Sequence, residues 1–196
     1  MIDVLYEETV ENLNLKKAHK KYMTFKILAI LFYLLAGVLA FVTLFSKVPE
    51  TNEDIIGLVV MTVIPFVLLI IFGIYCTKIK YRFVISYDYV FITGSIRVAK
   101  VLNNVKRKPM FSFNTQDIVT LGKYGSETFE KYVLGKEYKV TILTPNKECA
   151  EGKDFYYLAA NVDGEKKLLI FECTELFMVN VLKFSNKSII EKDFSK

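Results

Sequence analysis

Nineteen residues from Ile27 to Phe45, and twenty-three from Ile55 to Thr77, carry no formal charge. At a rise of about 1.5 Å per residue the two runs reach roughly 28 and 34 Å, enough to cross a bilayer core of about 30 Å. Both are apolar on every face, unlike the surface helix of a soluble protein. The pattern predicts an integral membrane protein with a two-helix transmembrane hairpin over residues 25–78, its spans at about 27–45 and 55–77. A signal peptide is the weaker reading of the first run. Its apolar core exceeds the roughly 7–15 residues of a signal sequence, and no small-x-small cleavage site follows Phe45.

Charge sets the expected orientation. Lys16, Lys17, Lys20, Lys21 and Lys26 precede the first run, and Lys78, Lys80 and Arg82 follow the second. The connection 46–54 holds Lys47 against Glu50, Glu53 and Asp54. Basic residues beside a span stay on the cytoplasmic side. A multi-pass protein with both termini cytoplasmic is therefore expected, with only the short loop outside. No Asp, Glu, Lys, Arg or His lies inside either run, so a membrane anchor fits better than an ion or proton pathway. Ala36, Gly37 and Ala40 form a small-residue patch for close helix approach, and Pro65 marks a kink in the second span.

The chain carries a net charge of +5. The excess is mild, suits an anionic inner leaflet, and is too weak for nucleic acid, of which no binding motif is present. Cys76, Cys149 and Cys173 show no metal spacing, and a reducing compartment accounts for them. His19 is the lone histidine and has no cluster of ligands around it. Glu127 and Glu130 read as a solvated helix face, and Gly122-Lys123-Tyr124-Gly125 lacks phosphate-loop spacing. Asn186-Lys187-Ser188 matches the glycosylation pattern, but a cytoplasmic site is not modified. No enzyme, cofactor or metal is expected.

Before the hairpin, Ile2, Tyr6, Val10 and Leu13 recur at helical spacing. Residues 1–24 are read as an amphipathic helix or arm, lying either on the leaflet or on the soluble domain. After it, the period changes to two. Tyr81–Tyr87, Tyr89–Thr93, Ile96–Leu102, Met110–Asn114, Tyr138–Ile142, and the pair Phe155–Val162 and Glu165–Phe171 predict about seven strands, with Asp117–Leu121 read as an extension of the sheet. A phase slip between Val98 and Ala99 suggests a bulge. Asp163-Gly164 suits a tight hairpin turn. Ser126–Leu134 and Thr174–Phe184 predict helices, the latter with Thr174 as N-cap. The cytoplasmic domain, residues 79–196, is thus an antiparallel sheet, strongly bent and closed by a C-terminal helix, and residues 80–190 are expected to fold alone.

Strands followed by one capping helix resemble a pleckstrin-homology-like domain. With Tyr81–Ile96, Lys106-Arg107-Lys108-Pro109-Met110 leading into Phe111-Ser112-Phe113, and Phe155–Lys183, the chain resembles an uncharacterised family of small bacterial membrane proteins. That family has an N-terminal two-helix transmembrane hairpin and a cytoplasmic pleckstrin-homology-like domain. The resemblance implies an α+β membrane protein in the bacterial cell membrane, its soluble part an antiparallel β-sandwich or barrel.

Lys106, Arg107 and Lys108 are the densest basic run, with Arg97 and Lys100 just before it. They are the candidate contacts for membrane lipids or a protein partner. Consecutive charges on a strand point to alternating faces, so a solvated turn competes with that reading. The expected function is a non-enzymatic membrane-tethered interaction module, binding a protein partner or inner-leaflet lipid headgroups. The other reading is a subunit of a transport or envelope complex with contacts through the helices.

Overall fold

The first strand of the β-rich unit lies ahead of the apolar helices. In this computed structural model, which describes residues 5–45 and 51–185, β1 (Leu5–Val10) pairs antiparallel with β2 (Ile85–Ile92). Of the amphipathic helix or arm expected over 1–24, the described residues form this strand and the start of the first long helix. Spacings of four fit a strand as well as a helix, so Tyr6 and Val10 fall on one face either way. Between them on the strand face is Glu8. Ile2, the loop 46–50 and Asn186–Ser188 lie outside the described residues.

The described residues divide into two units. The helical unit, Asn14–Val84, contains α1 (Leu15–Leu44), α2 (Asn52–Leu58) and α3 (Ile64–Ile79). A wide π-helical turn at Val59–Val63 joins α2 to α3 just ahead of Pro65, which has no N–H to donate and crowds the carbonyl four residues back. Two helices here are long and apolar enough to cross a membrane. Where α1 meets α3, Ala29, Ala36, Gly73 and Cys76 are buried. Ala40 is half-buried, but Gly37 is exposed, so the anticipated patch is only partly used. The Tyr33 ring occupies the space of a Gly73 side chain: a Cβ there would lie 2.7 Å from Cε1. At one end of this unit Phe25 stacks on Phe83 at 5.2 Å, and Lys80 lies over Tyr81 at 5.1 Å.

The second unit is a sandwich of two four-stranded sheets. The first has the order β1-β2-β3-β4, with β3 Ser95–Leu102 and β4 Lys106–Asn114. The second holds β5 (Ile118–Lys123), β6 (Lys139–Ile142), β7 (Asp154–Val162) and β8 (Glu165–Cys173), in the order β5-β7-β8-β6. The edge strand β6 runs parallel to β8, so the expectation of a wholly antiparallel sheet is corrected. Strand β2 starts at Ile85, because Lys80–Arg82 form a 3-10 turn where alternation had suggested a strand from Tyr81.

The core fills the space between the sheets. Val10, Tyr89, Phe91, Ile96, Val98, Leu158, Leu169 and Phe171 meet there. One helix, α5 (Glu175–Lys183), contributes Phe177, Met178 and Val181, all fully buried. Thr174 caps it by accepting from Phe177 N–H. Another, α4 (Glu127–Leu134), capped by Ser126, covers the outer side of the second sheet through Phe129. At the β7–β8 turn Asp163 and Gly164 both take positive φ, 54° and 79°, as the tight turn requires. The bulge falls at the expected slip: Val98 pairs with Phe111 and Ala99 with Pro109, leaving Met110 as the extra residue.

Candidate functional site

Register sorts the basic residues. Antiparallel partners share a face and neighbours along a strand alternate. Lys100 pairs directly with Lys108, and Leu102 with Lys106, so these three lysines share the face that carries Tyr87 and Tyr89. Lys100 reaches over the Tyr87 ring at 5.8 Å. Lys106 and Lys108 are exposed. Among the described residues none of the three lysines is ion-paired. Two like charges directly opposite one another carry a cost in a sheet.

Arg97 and Arg107 belong to the opposite face. Arg107 Nε lies 3.0 Å from Asp88 Oδ2, and Thr9 donates to Asp88 Oδ1 at 2.8 Å. Its charge is therefore opposed locally. Arg97 borders a separate groove of about 360 Å³ at the bulge, lined by Val90, Ala99, Pro109 and Met110 among others. The five candidate residues thus form a cluster of three lysines and, apart from it, two arginines.

The lysines sit at a defined end of the sheet. Ile85, the first residue of β2, pairs with Leu102, and Val10, the last of β1, pairs with Tyr87. At this end the chain passes from β1 into residues 14–84 and returns into β2. The β3–β4 turn is at the same end. Asn103 and Asn104 take positive φ, 52° and 55°, which Asn tolerates better than most residues. Val105, just after them, is 83 % exposed.

Two polar clusters tie this end together, and sequence reasoning missed both. Glu8 is nearly buried. It accepts from Thr174 N–H at 3.1 Å and from Thr174 Oγ1 at 3.1 Å, and Lys153 Nζ lies 2.8 Å from it. Glu172 is fully buried. It accepts from Ala150 N–H and Asn146 Nδ2, each at 2.9 Å, and from the Thr144 hydroxyl. Asn146 also donates to Glu11 O and accepts from Leu13 N–H, fixing the chain just past β1. With its oxygens occupied, Glu172 anchors the loop 143–150. The signal in the sequence was an acid between two inward apolar residues, Tyr6 and Val10, and another at the end of an otherwise apolar strand.

Burial pushes the Tyr89 hydroxyl well above its ordinary value, and it donates to Leu143 O at 2.7 Å. Burial likewise raises Cys173 strongly and Cys149 more modestly, so neither thiol has the depressed pKa of a reactive nucleophile. Among the described residues no group of three or more His, Cys, Asp or Glu is placed to hold a metal ion.

No curated protein and no solved structure matches the chain. A family model, described as Bacterial PH-like domain (DUF6106), matches residues 3–191. That span includes β1, both apolar helices and the sandwich, and PH-like domains are typically non-catalytic interaction modules. The chain belongs to the family of bacterial PH-like domains DUF6106.

Proposed function

We propose that this protein is a non-catalytic interaction module held at the inner face of the bacterial cell membrane by its own helical hairpin. The observation that carries the reading is the pairing of β1 with β2. One strand precedes the two apolar helices and the other follows them, yet they are neighbours in one sheet. A folded sandwich cannot straddle a bilayer, so both flanks lie on one side and the helices cross an even number of times. The lysine-rich flanks against the acidic connection favour the cytoplasm for that side. Tethering concentrates the domain against the leaflet and against membrane partners, so modest intrinsic affinity suffices there.

The test uses the full chain in bacterial cells. A reporter after Lys196 should behave as cytoplasmic, and one inserted between Pro49 and Asn52 as external. Digestion of the sandwich by protease added to intact cells would overturn the reading. Replacing the hairpin with an unrelated one should preserve function; loss of function would instead favour a complex subunit whose helices carry the contacts.

A further inference from the structure

We infer that the free edge of β6 is a self-association surface. There β6 of a second copy of this chain adds antiparallel, about a two-fold axis at Thr141, and the two four-stranded sheets become one continuous sheet.

A sheet edge leaves backbone groups open to another chain, and proteins blunt the edges they do not use. Among the described residues, three of the four strands at sheet edges are managed in this way. Along β4, Pro109 removes a donor and the bulge at Met110 breaks the register. A second bulge interrupts β5 between Ile118 and Thr120. On β1, Lys153 Nζ bonds Thr9 O at 3.0 Å, and just past the strand Asn146 Nδ2 bonds Glu11 O at 2.8 Å. The outermost strand of the second sheet, β6, has neither proline nor bulge, and its register with β8 is unbroken.

One bond fixes which way the β6 backbone faces. Leu143 N–H donates to Ile170 O at 2.9 Å, and Ile142 is the residue paired with Ile170. In a strand, alternate residues aim both backbone groups at one neighbour, and the residues between them aim both the other way. Lys139, Thr141 and Leu143 therefore face β8, and Val140 and Ile142 present N–H and C=O to the open side. Their side chains are 44 % and 58 % exposed, although Leu168 and Ile170, their neighbours on the same face, are buried. An extended strand added at this edge would satisfy the backbone groups and cover both aliphatic side chains.

A second copy fits without opposing like charges. With Thr141 opposite Thr141 of the copy, Val140 of each chain is directly opposite Ile142 of the other. These are the residues with open backbone groups, so each such pair exchanges both of its hydrogen bonds and matches valine to isoleucine on one face. Lys139 falls opposite Leu143, not opposite a lysine. Lys136 and Glu137 precede the strand, Lys147 and Glu148 follow it, and all are exposed. The two-fold lays each mixed pair beside the other, so opposite charges meet at both ends. A register centred on Val140 instead takes Ile142 past the end of the strand, opposite Tyr138. The contact is only four residues per copy, so the dimer is reversible and concentration-dependent.

The test uses the full-length chain in detergent. Cys149→Ser is the background, because the other two native thiols, Cys76 and Cys173, are buried. Thr141→Cys should form a disulfide-linked dimer under mild oxidation, since residues opposed on the axis stand about 4.5 Å apart at Cα, inside disulfide range. Val140→Cys alone and Ile142→Cys alone should not, because each lies roughly 8 Å from its own symmetry mate; an equal mixture of the two should cross-link. Light scattering of the parent should show dimer rising with concentration. Ile142→Lys and Val140→Lys each change an exposed side chain, and each should raise the dissociation constant on the order of 10-fold while leaving the urea midpoint near that of the parent. A parent that stays monomeric while Thr141→Cys stays reduced would overturn the assignment. So would a dimer that both lysine variants leave intact, as association through the helices would be, or Val140→Cys cross-linking as readily as Thr141→Cys. A Thr141→Cys chain that is monomeric when purified but cross-links to a different protein in cells would give the edge to a foreign strand, and that too overturns it.

Discussion

Removing β1 should cost the sandwich most of its stability, although β1 is separated in sequence from the rest of the domain by the whole hairpin. The comparison is between residues 85–196 alone and a chain in which a four-residue Gly/Ser linker replaces residues 14–84, joining Leu13 to Ile85. Val10 and Tyr87 are paired, so such a linker leaves a loop of about nine residues between them, whose closure costs little more than that of a tight hairpin. Three losses follow from deleting the strand. Val10 is 1 % exposed, and burying a valine contributes roughly 1.5–3 kcal/mol. The Tyr6 ring lies 5.9 Å from Phe177, a pair worth about 0.5–1.5 kcal/mol. Without Glu8, the Thr174 N–H at the head of α5 loses its acceptor, at about 1–3 kcal/mol. Together these reach roughly 3–7.5 kcal/mol, against the 5–15 kcal/mol or so that holds a typical domain folded. The linked chain should show a cooperative urea transition. The fragment should unfold at much lower urea or associate through the bared edge of β2. A synthetic peptide of residues 1–13 should restore the transition in a concentration-dependent way. Equal midpoints for fragment and linked chain would refute the argument, and with it the structural role of β1.

Phe177→Ala in the linked chain removes a fully buried ring packed near Tyr89 and Phe171 and should cost about 3–5 kcal/mol by urea denaturation. Glu172→Ala should cost about 2–4 kcal/mol, because the Ala150 N–H and the Asn146 and Thr144 donors lose their shared acceptor; an unchanged midpoint would remove the anchor assignment. Alkaline stability should fall between pH 10 and about 12: Tyr89 and Tyr156 are raised by burial, Tyr156 to about 12, so the folded state keeps protons that the unfolded chain releases above pH 10. Melting temperatures flat across that window would contradict it. Gly73→Ala should force the Tyr33 ring to move and lower the melting temperature of the full chain in detergent, an overpacking cost of about 1–3 kcal/mol.

The features legible in the sequence were those set by local chemistry. Charge-free runs announce themselves over nineteen and twenty-three residues. The Asp163-Gly164 turn, the Thr174 cap and the slip at Ala99 each depend on a few adjacent residues, and each is found in place. What escaped the sequence depends on partners far along the chain. Residues 5–10 form a strand because of β2, eighty residues on, and no window around Tyr6 contains that strand. The parallel pairing of β6 with β8 escaped for the same reason: alternation specifies a strand but not the direction of its neighbour.

The site divides along the same line. Density of charge was visible as Lys106-Arg107-Lys108, but density is not a surface. The pleat sends Arg107 to the face where Asp88 waits, and it is register, a long-range property, that gathers Lys100 beside Lys108. Asp88 could not have been assigned to Arg107 from spacing, since nineteen residues and a full strand separate them. Glu8 and Glu172 were invisible for a related reason. An acid at an inward position reads as a break in the apolar pattern until its donors are known, and those donors, Thr174 with Lys153 and Thr144 with Asn146, come from other elements. Both carboxylates hold together the end of the sandwich where the chain enters and leaves its apolar helices. A domain interrupted between its first two strands has to close that gap with contacts from elsewhere in the fold, and these two acids supply them.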